Sequence, residues 1–414
     1  MIRPVSFTDW FRTPNPPCTL SKPRNLALLD YLRCLAILLV VFRHLVGINF
    51  HWQLPWVYDV RDFSAYGLGS ILVHLFYIGW AGVPLFFVVS GFCIHWSCLR
   101  LERFGMTRFF WQRFWRIYPA YITALILFTW VELKGNFNLA AGRQFFSHVF
   151  LIQNLSTTTF WGINGPFWSV AVEVQLYLLY PVLLAIRRRS GWRGCFLIAG
   201  SLSLLWRVFA VTRWGWPDHS VNPAMTSPLM TWADWMVGAW IAECYGANRR
   251  AFPPSRILLP IVFIGFLAST IYRPLTVFSF SLAGLSSAIW LDQMLHRKAS
   301  AAFNSTPSAF VKRNAIRVGL ISYSVYLWHE PILIHWHAFI TQHAIGKLTG
   351  TSFTLLAVVI PIVFAIIVAY LSYRLIERPG IQLGRWLLER FTALPRPDSR
   401  ILELAPSRPE AGIH

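Results

Sequence analysis

Residues 27–47 read ALLDYLRCLAILLVVFRHLVG. A helix needs roughly 20 residues to cross a ~30 Å hydrocarbon core, and this run has that length and is almost wholly apolar. Yet it carries Asp30, Arg33, Arg43 and His44. A charge at the bilayer centre costs roughly 2.5 kcal/mol or more, so the stretch reads as a membrane span and as part of a site.

Runs of the same kind recur near 72–97, 117–132, 168–186, 194–211, 229–246, 257–271, 274–291, 318–339 and 353–375. They predict an all-α, polytopic transmembrane bundle of about ten helices. Composition agrees: 56% of the 414 residues are hydrophobic and 13% charged, a balance that excludes an ordinary water-exposed globule. The net charge of +20 does not mark a nucleic-acid binder, because the basic residues sit in short clusters between apolar runs and form no continuous face.

With the amino terminus in the cytoplasm, the clusters at 100–116, 187–193, 249–256, 297–317 and beyond 374 all fall inside. That follows the positive-inside rule and predicts that both termini are cytoplasmic. The external loops then hold isolated charges, among them Asp59, Asp62, Lys134, Arg143, Arg213 and Arg273. Three parts are expected: a cytoplasmic leader (1–25), a membrane domain (26–380), and a cytoplasmic tail (381–414) with an amphipathic stretch and a disordered end. No internal repeat is visible. The six cysteines form no CxxC pair, and neither they nor His335 and His337 have metal-ligand spacing, so no metal is expected.

The ionisable residues inside the spans are the functional candidates. Arg33 and His44 are eleven residues apart, about three full turns, so they share a face and lie roughly 16 Å apart along the axis. Asp30 is placed to pair with Arg33. A neutral imidazole in a partly desolvated pocket suits a general base for a hydroxyl, although a lone intramembrane histidine also serves plain helix packing. Arg113 and Arg116, at i, i+3, are expected to open the third span, where forked donors at a helix start suit phosphates or lipid headgroups.

Glu173 in the fourth span reads as a second acid or base, or as the structural partner of a buried arginine such as Arg207. His329 and Glu330 precede Pro331, which removes a backbone donor and loosens the helix, and broken helices in membranes commonly line cavities. Gly79, Gly82 and Gly91 read as close-packing positions, and Ser90 lies beside the last of them.

These residues fall in stretches that resemble the acyltransferase type 3 family of integral membrane enzymes, which includes polysaccharide O-acetyltransferases. The resemblance spans roughly residues 26–380. It rests on Arg33 through His44, Gly82-Val83-Pro84 to Ser90-Gly91-Phe92, Arg113-x-x-Arg116 with Ile117-Tyr118-Pro119, Phe167-Trp168-Ser169 to Glu173, Ser322-Tyr323 to Pro331, and Glu377-Arg378-Pro379. It implies an acyl-coenzyme A donor entering from the cytoplasm as co-substrate, no tightly bound cofactor, and a carbohydrate or lipid-linked acceptor. By that similarity His44 carries catalysis, Arg33, Arg113 and Arg116 bind the donor, and Glu173 is a site residue.

The expected function is O-acyl transfer, with acetyl as the expected group, in a bacterial inner membrane. His44 takes the acceptor's proton, and Asp30, Ser90, Ser169, Tyr177 and His329 support the site. An acylated Ser90 or Ser169 ranks lower, because no neighbouring base is visible in the sequence. A proton-coupled secondary transporter is the rival reading, using the same intramembrane His, Glu and Arg residues as its path.

Overall fold

A computed structural model of the chain describes residues 26–49, 78–101, 105–133, 138–215, 227–297, 309–343 and 355–391. The leader, the loop with Asp59 and Asp62, Lys134 and the chain beyond 391 lie outside the described residues. Among those described, all regular structure is helical. In chain order the α-helices are α1 (Leu26–Asn49), α2 (Gly82–Leu99), α3 (Met106–Leu133), α4 (Leu139–Val149), α5 (Phe167–Trp214), α6 (Pro228–Gly246), α7 (Leu258–Ile271), α8 (Thr276–Leu295), α9 (Ala309–Leu320), α10 (Ser322–Gln342), α11 (Ile360–Ser372) and α12 (Arg378–Phe391).

Each stretch expected to span is helical over most of its described part, that at 318–339 being broken at Ile321, and among the described residues five helical segments are long and apolar enough to cross a membrane. These are Ala27–Asn49, Ile78–Leu99, Met106–Glu132, Phe167–Trp214 and Leu355–Phe391. The remaining stretches fall short for physical reasons. At 14 residues, α7 reaches only about 21 Å. The others bury polar groups inside the bundle: Asp234 in α6, Asp292 in α8, and His329 with Glu330 in α10.

The 48-residue α5 bends at Gly191, whose φ of 64° lies in the left-handed region that glycine tolerates. Two helices result, each about 35 Å long at 1.5 Å per residue, and they cover the two stretches expected at 168–186 and 194–211.

Close helix contacts fix the bundle. A Cβ on Gly79 or Gly82 would strike the backbone oxygens of Leu39 or Ala36 in α1, and one on Gly91 would strike the carbonyl oxygen of Trp235 in α6. Gly238 meets the Val88 carbonyl in the same way, so α2 and α6 touch backbone to backbone at two levels. Buried aromatics fill the remaining space: Trp80 stacks on Phe280 with centroids 5.9 Å apart, and Phe160 stacks on Trp168 at 5.8 Å.

The last helices return to α3. Between α11 and α12 a π-helical turn, Tyr373–Glu377, widens the helix and turns Glu377 into the interior. Gly380 then packs on Pro119, Gly384 packs on Trp115, and Trp111 Nε1 donates to the Gly384 carbonyl at 2.7 Å. Leu383 and Trp386 on α12 remain exposed, an apolar strip suited to an interfacial helix.

Candidate active site

α1 carries Arg33 and His44, and α2 and α10 flank it. Arg33 Nη1 donates to Asp30 Oδ1 at 3.1 Å, the expected pairing, and Nη2 donates to Cys93 Sγ at 3.3 Å. His44 meets α10. Its Nε2 is 3.4 Å from Glu330 Oε1, and its Nδ1 is 2.9 Å from the Val40 carbonyl and 3.2 Å from His329 Nε2.

The tautomers follow from the acceptors. His329 Nδ1 lies 3.1 Å from the Val325 carbonyl and 2.8 Å from that of Tyr326, so in a neutral ring this nitrogen carries the proton. His329 Nε2 is then an acceptor, and His44 donates to it from Nδ1. What remains at His44 is a basic Nε2 facing Glu330. Glu330 also lies in the electrostatic field of Arg43.

Alongside this pair runs an open cavity. It follows α2 from Val83 to Ile94, about 16 Å of helix, and is lined by Arg33, Arg113 and Arg116 together with Ser90, Glu173 and Tyr177. Most of the residues singled out in the sequence therefore meet in one space. His44 does not line it. Tyr326 does, and its ring stands 5.6 Å from that of His329. The Tyr326 hydroxyl accepts from Ser169 Oγ at 2.6 Å and donates to the Pro166 carbonyl at 3.1 Å, so it walls the cavity off from the histidines.

Two expectations are corrected. α3 begins at Met106, so Arg113 lies about two turns and Arg116 nearly three turns inside it, and neither can use a helix amino terminus. They still share a face and line the cavity through their side chains alone. Glu173 does not pair with Arg207. Its Oε1 accepts from Ser90 Oγ at 2.9 Å and from the Tyr177 hydroxyl at 2.6 Å. Arg207 instead binds Ser203, Ser281 and the Val277 carbonyl in the field of Asp234, because α8 and α6 lie beside it and α5's first turns do not.

The three cavity arginines are held differently. Arg33 has Asp30. Arg116 is paired with the fully buried Glu377, which also accepts from Ser324 Oγ at 2.6 Å. Arg113 instead sits over the rings of Phe109 and Tyr177, 5.7 and 5.9 Å from their centroids, and its Nε is a buried donor without a partner among the described residues. An anion entering the cavity meets its most available guanidinium there.

Two carboxylates are only partly legible in the sequence. Glu330 was visible as a buried charge, but its partner lies 286 positions away in the chain, and only Pro331 hinted at a special helix. Glu377 was visible only as part of Glu377-Arg378-Pro379.

A cavity lined with guanidiniums beside a buried His–Glu pair suits transfer of a group from an anionic donor, and comparison with known proteins narrows the class. The profile of the type 3 acyltransferase domain matches residues 26–374. The chain belongs to the type 3 acyltransferase family. Among its relatives is "Acyltransferase MdmB" of Streptomyces mycarofaciens, 25% identical over 78% of this chain and 86% of that protein. "Peptidoglycan O-acetyltransferase OatA" of Listeria monocytogenes is 24% identical over 85% of this chain, which spans only 55% of that relative. "Nodulation protein 10" of Rhizobium leguminosarum is 23% identical over 87% and 95% of the two chains. No solved structure matches the chain. This type 3 acyltransferase therefore pairs the family's catalytic domain with several apolar helices, as an integral membrane enzyme does.

Proposed function

We propose that the chain is a membrane-embedded O-acyltransferase that moves an acyl group, acetyl in the first instance, from acyl-coenzyme A to a hydroxyl of a carbohydrate or lipid-linked acceptor. The observation that carries this reading is the His44 Nε2–Glu330 Oε1 contact at 3.4 Å, placed beyond an arginine-lined cavity. The reading takes all ten helical stretches as spans of a bacterial inner membrane with both termini in the cytoplasm. The arginine side of the cavity then faces the donor's compartment.

Arg113, helped by Arg33 and Arg116, binds the donor phosphates. The thin thioester arm follows the cavity past Ser90 and Glu173, and Tyr326 must yield for the carbonyl to reach His44. His44 Nε2 removes the acceptor proton as the hydroxyl oxygen attacks the thioester carbon, and Glu330 stabilises the imidazolium that forms. The carbon–sulfur bond then breaks, and the thiolate recovers the proton as free coenzyme A leaves. The O-acetyltransferase names of the relatives support a hydroxyl acceptor.

The test is transfer of label from radiolabelled acetyl-coenzyme A by purified protein in lipid, with wild type and His44→Ala compared at matched folding. Transfer lost in the variant supports the reading. Wild-type inertness toward several acyl donors and acceptor extracts would turn the assignment toward a proton-coupled transporter.

A further inference from the structure

Three consecutive residues before α5 grip three positions of α10. Pro331 lacks an N–H, which frees the carbonyl four residues earlier, that of Leu327, and Asn164 Nδ2 donates to that oxygen at 2.9 Å. The Gly165 N–H donates toward the Glu330 carboxylate. The Pro166 carbonyl accepts from the Tyr326 hydroxyl at 3.1 Å. Asn164 is buried, and its Oδ1 has no partner among the described residues, so within them its side-chain amide serves the α10 backbone.

Gly165 also leaves the carboxylate its room. A Cβ there would lie 2.6 Å from Glu330 Oε2 and 3.2 Å from Oε1, closer than carbon and oxygen approach without displacement. The residue before Asn164 bears the backbone strain of this arrangement: Ile163 has φ 62°, a region costly for a β-branched side chain. The segment is thus held out of its relaxed conformation at the point where it meets Glu330.

We propose that Asn164 and Gly165 are positioning residues that set the Glu330 carboxylate against His44. The proposal rests on the acyltransferase reading in which Glu330 serves His44. Asn164 fixes the height of the proline-loosened turn, and Gly165 turns its backbone N–H toward the carboxylate and leaves it a gap of one methyl group. Together they fix which way the carboxylate points.

The experiment is a double-mutant cycle on purified protein in lipid, reading kcat and donor KM for acetyl transfer, with thermal midpoints as folding controls. Gly165→Ala lowers kcat by about 10²-fold with donor KM unchanged, the scale expected for displacing a catalytic group by about 1 Å. Glu330→Asp, one methylene shorter, loses about 10-fold alone. In the Gly165→Ala background it restores the missing space, so the double variant falls no further than Glu330→Asp. Asn164→Ala lowers kcat with donor KM unchanged.

Losses that multiply in the double variant, or a Gly165→Ala enzyme at wild-type kcat, overturn the positioning role while leaving the acyltransferase standing. A wild-type protein that transfers no label overturns the acyltransferase reading itself, and this proposal with it.

Discussion

His44 on α1 and Glu330 on α10 meet at 3.4 Å between Nε2 and Oε1, and both side chains are only 12% exposed. A carboxylate this close to a buried imidazole can hold a proton that the ring has taken. Glu330→Gln keeps the shape and removes that charge. It is expected to lower kcat by about 10² to 10⁴, the range for a lost acid–base partner, with little change in donor KM. Initial rates of label transfer at saturating donor check this, and a wild-type rate in the variant would remove Glu330 from the chemistry.

His329 holds the other side of the ring. Its Nε2 accepts from His44 Nδ1 at 3.2 Å, and its own Nδ1 is fixed by two backbone carbonyls. Replacement by Phe leaves the volume and removes the acceptor, so kcat should fall about 10-fold or more while donor KM stays put. His329→Gln, whose side-chain oxygen can reach the same place, should recover most of that loss. Equal losses in both variants would show that ring packing, and not the hydrogen bond, is what His329 provides.

The cavity arginines should separate in a donor titration. Arg113→Ala removes a guanidinium that, among the described residues, is held by aromatic faces and no carboxylate, so donor KM should rise about 10-fold or more, with the thermal midpoint nearly unchanged. Arg116→Ala leaves Glu377 buried without its cation. It should destabilise the fold by about 2 to 3 kcal/mol, below the range for a fully buried pair because Arg116 is 37% exposed. Thermal unfolding in detergent, with and without a coenzyme A analogue, reads both effects.

Gly91 is where α2 touches the Trp235 carbonyl, and Gly200 in α5 has open space around it. Gly91→Ala is expected to lower stability by about 1 to 3 kcal/mol, the scale of overpacking in a tight interface. Gly200→Ala should be neutral or slightly stabilising, since alanine is the better helix former. Fluorescence-detected gel filtration after graded heating distinguishes them, and equal midpoints would mean that α2 and α6 can separate without loss.

Much of the site was legible along the chain. Arg33 with Asp30, and Arg113 with Arg116, are local relations set by helical periodicity: the first two pair, and the second two share a face of α3, though within the helix and not at its start. Glu173 was legible as a buried charge whose partner was not: the carboxylate accepts from Ser90 on another helix and from Tyr177 one turn on. The start of α3 was misjudged because hydropathy marks where a helix enters lipid, and α3 begins earlier, in the polar sequence from Met106.

The sequence by itself determined the helical, membrane-embedded character of the chain, because apolar runs of spanning length leave the backbone no other way to satisfy its hydrogen bonds in lipid. It also determined which residues were too costly to bury without a purpose. Only the tertiary structure decided who meets whom: His44 with Glu330, Arg116 with Glu377, and Asn164 with the carbonyl that Pro331 freed. Periodicity fixes the face a side chain takes on its own helix. Which other helix that face meets depends on close packing at glycines and on turns such as those at Gly191 and Tyr373–Glu377, where small local angles are carried across the whole thickness of the bundle.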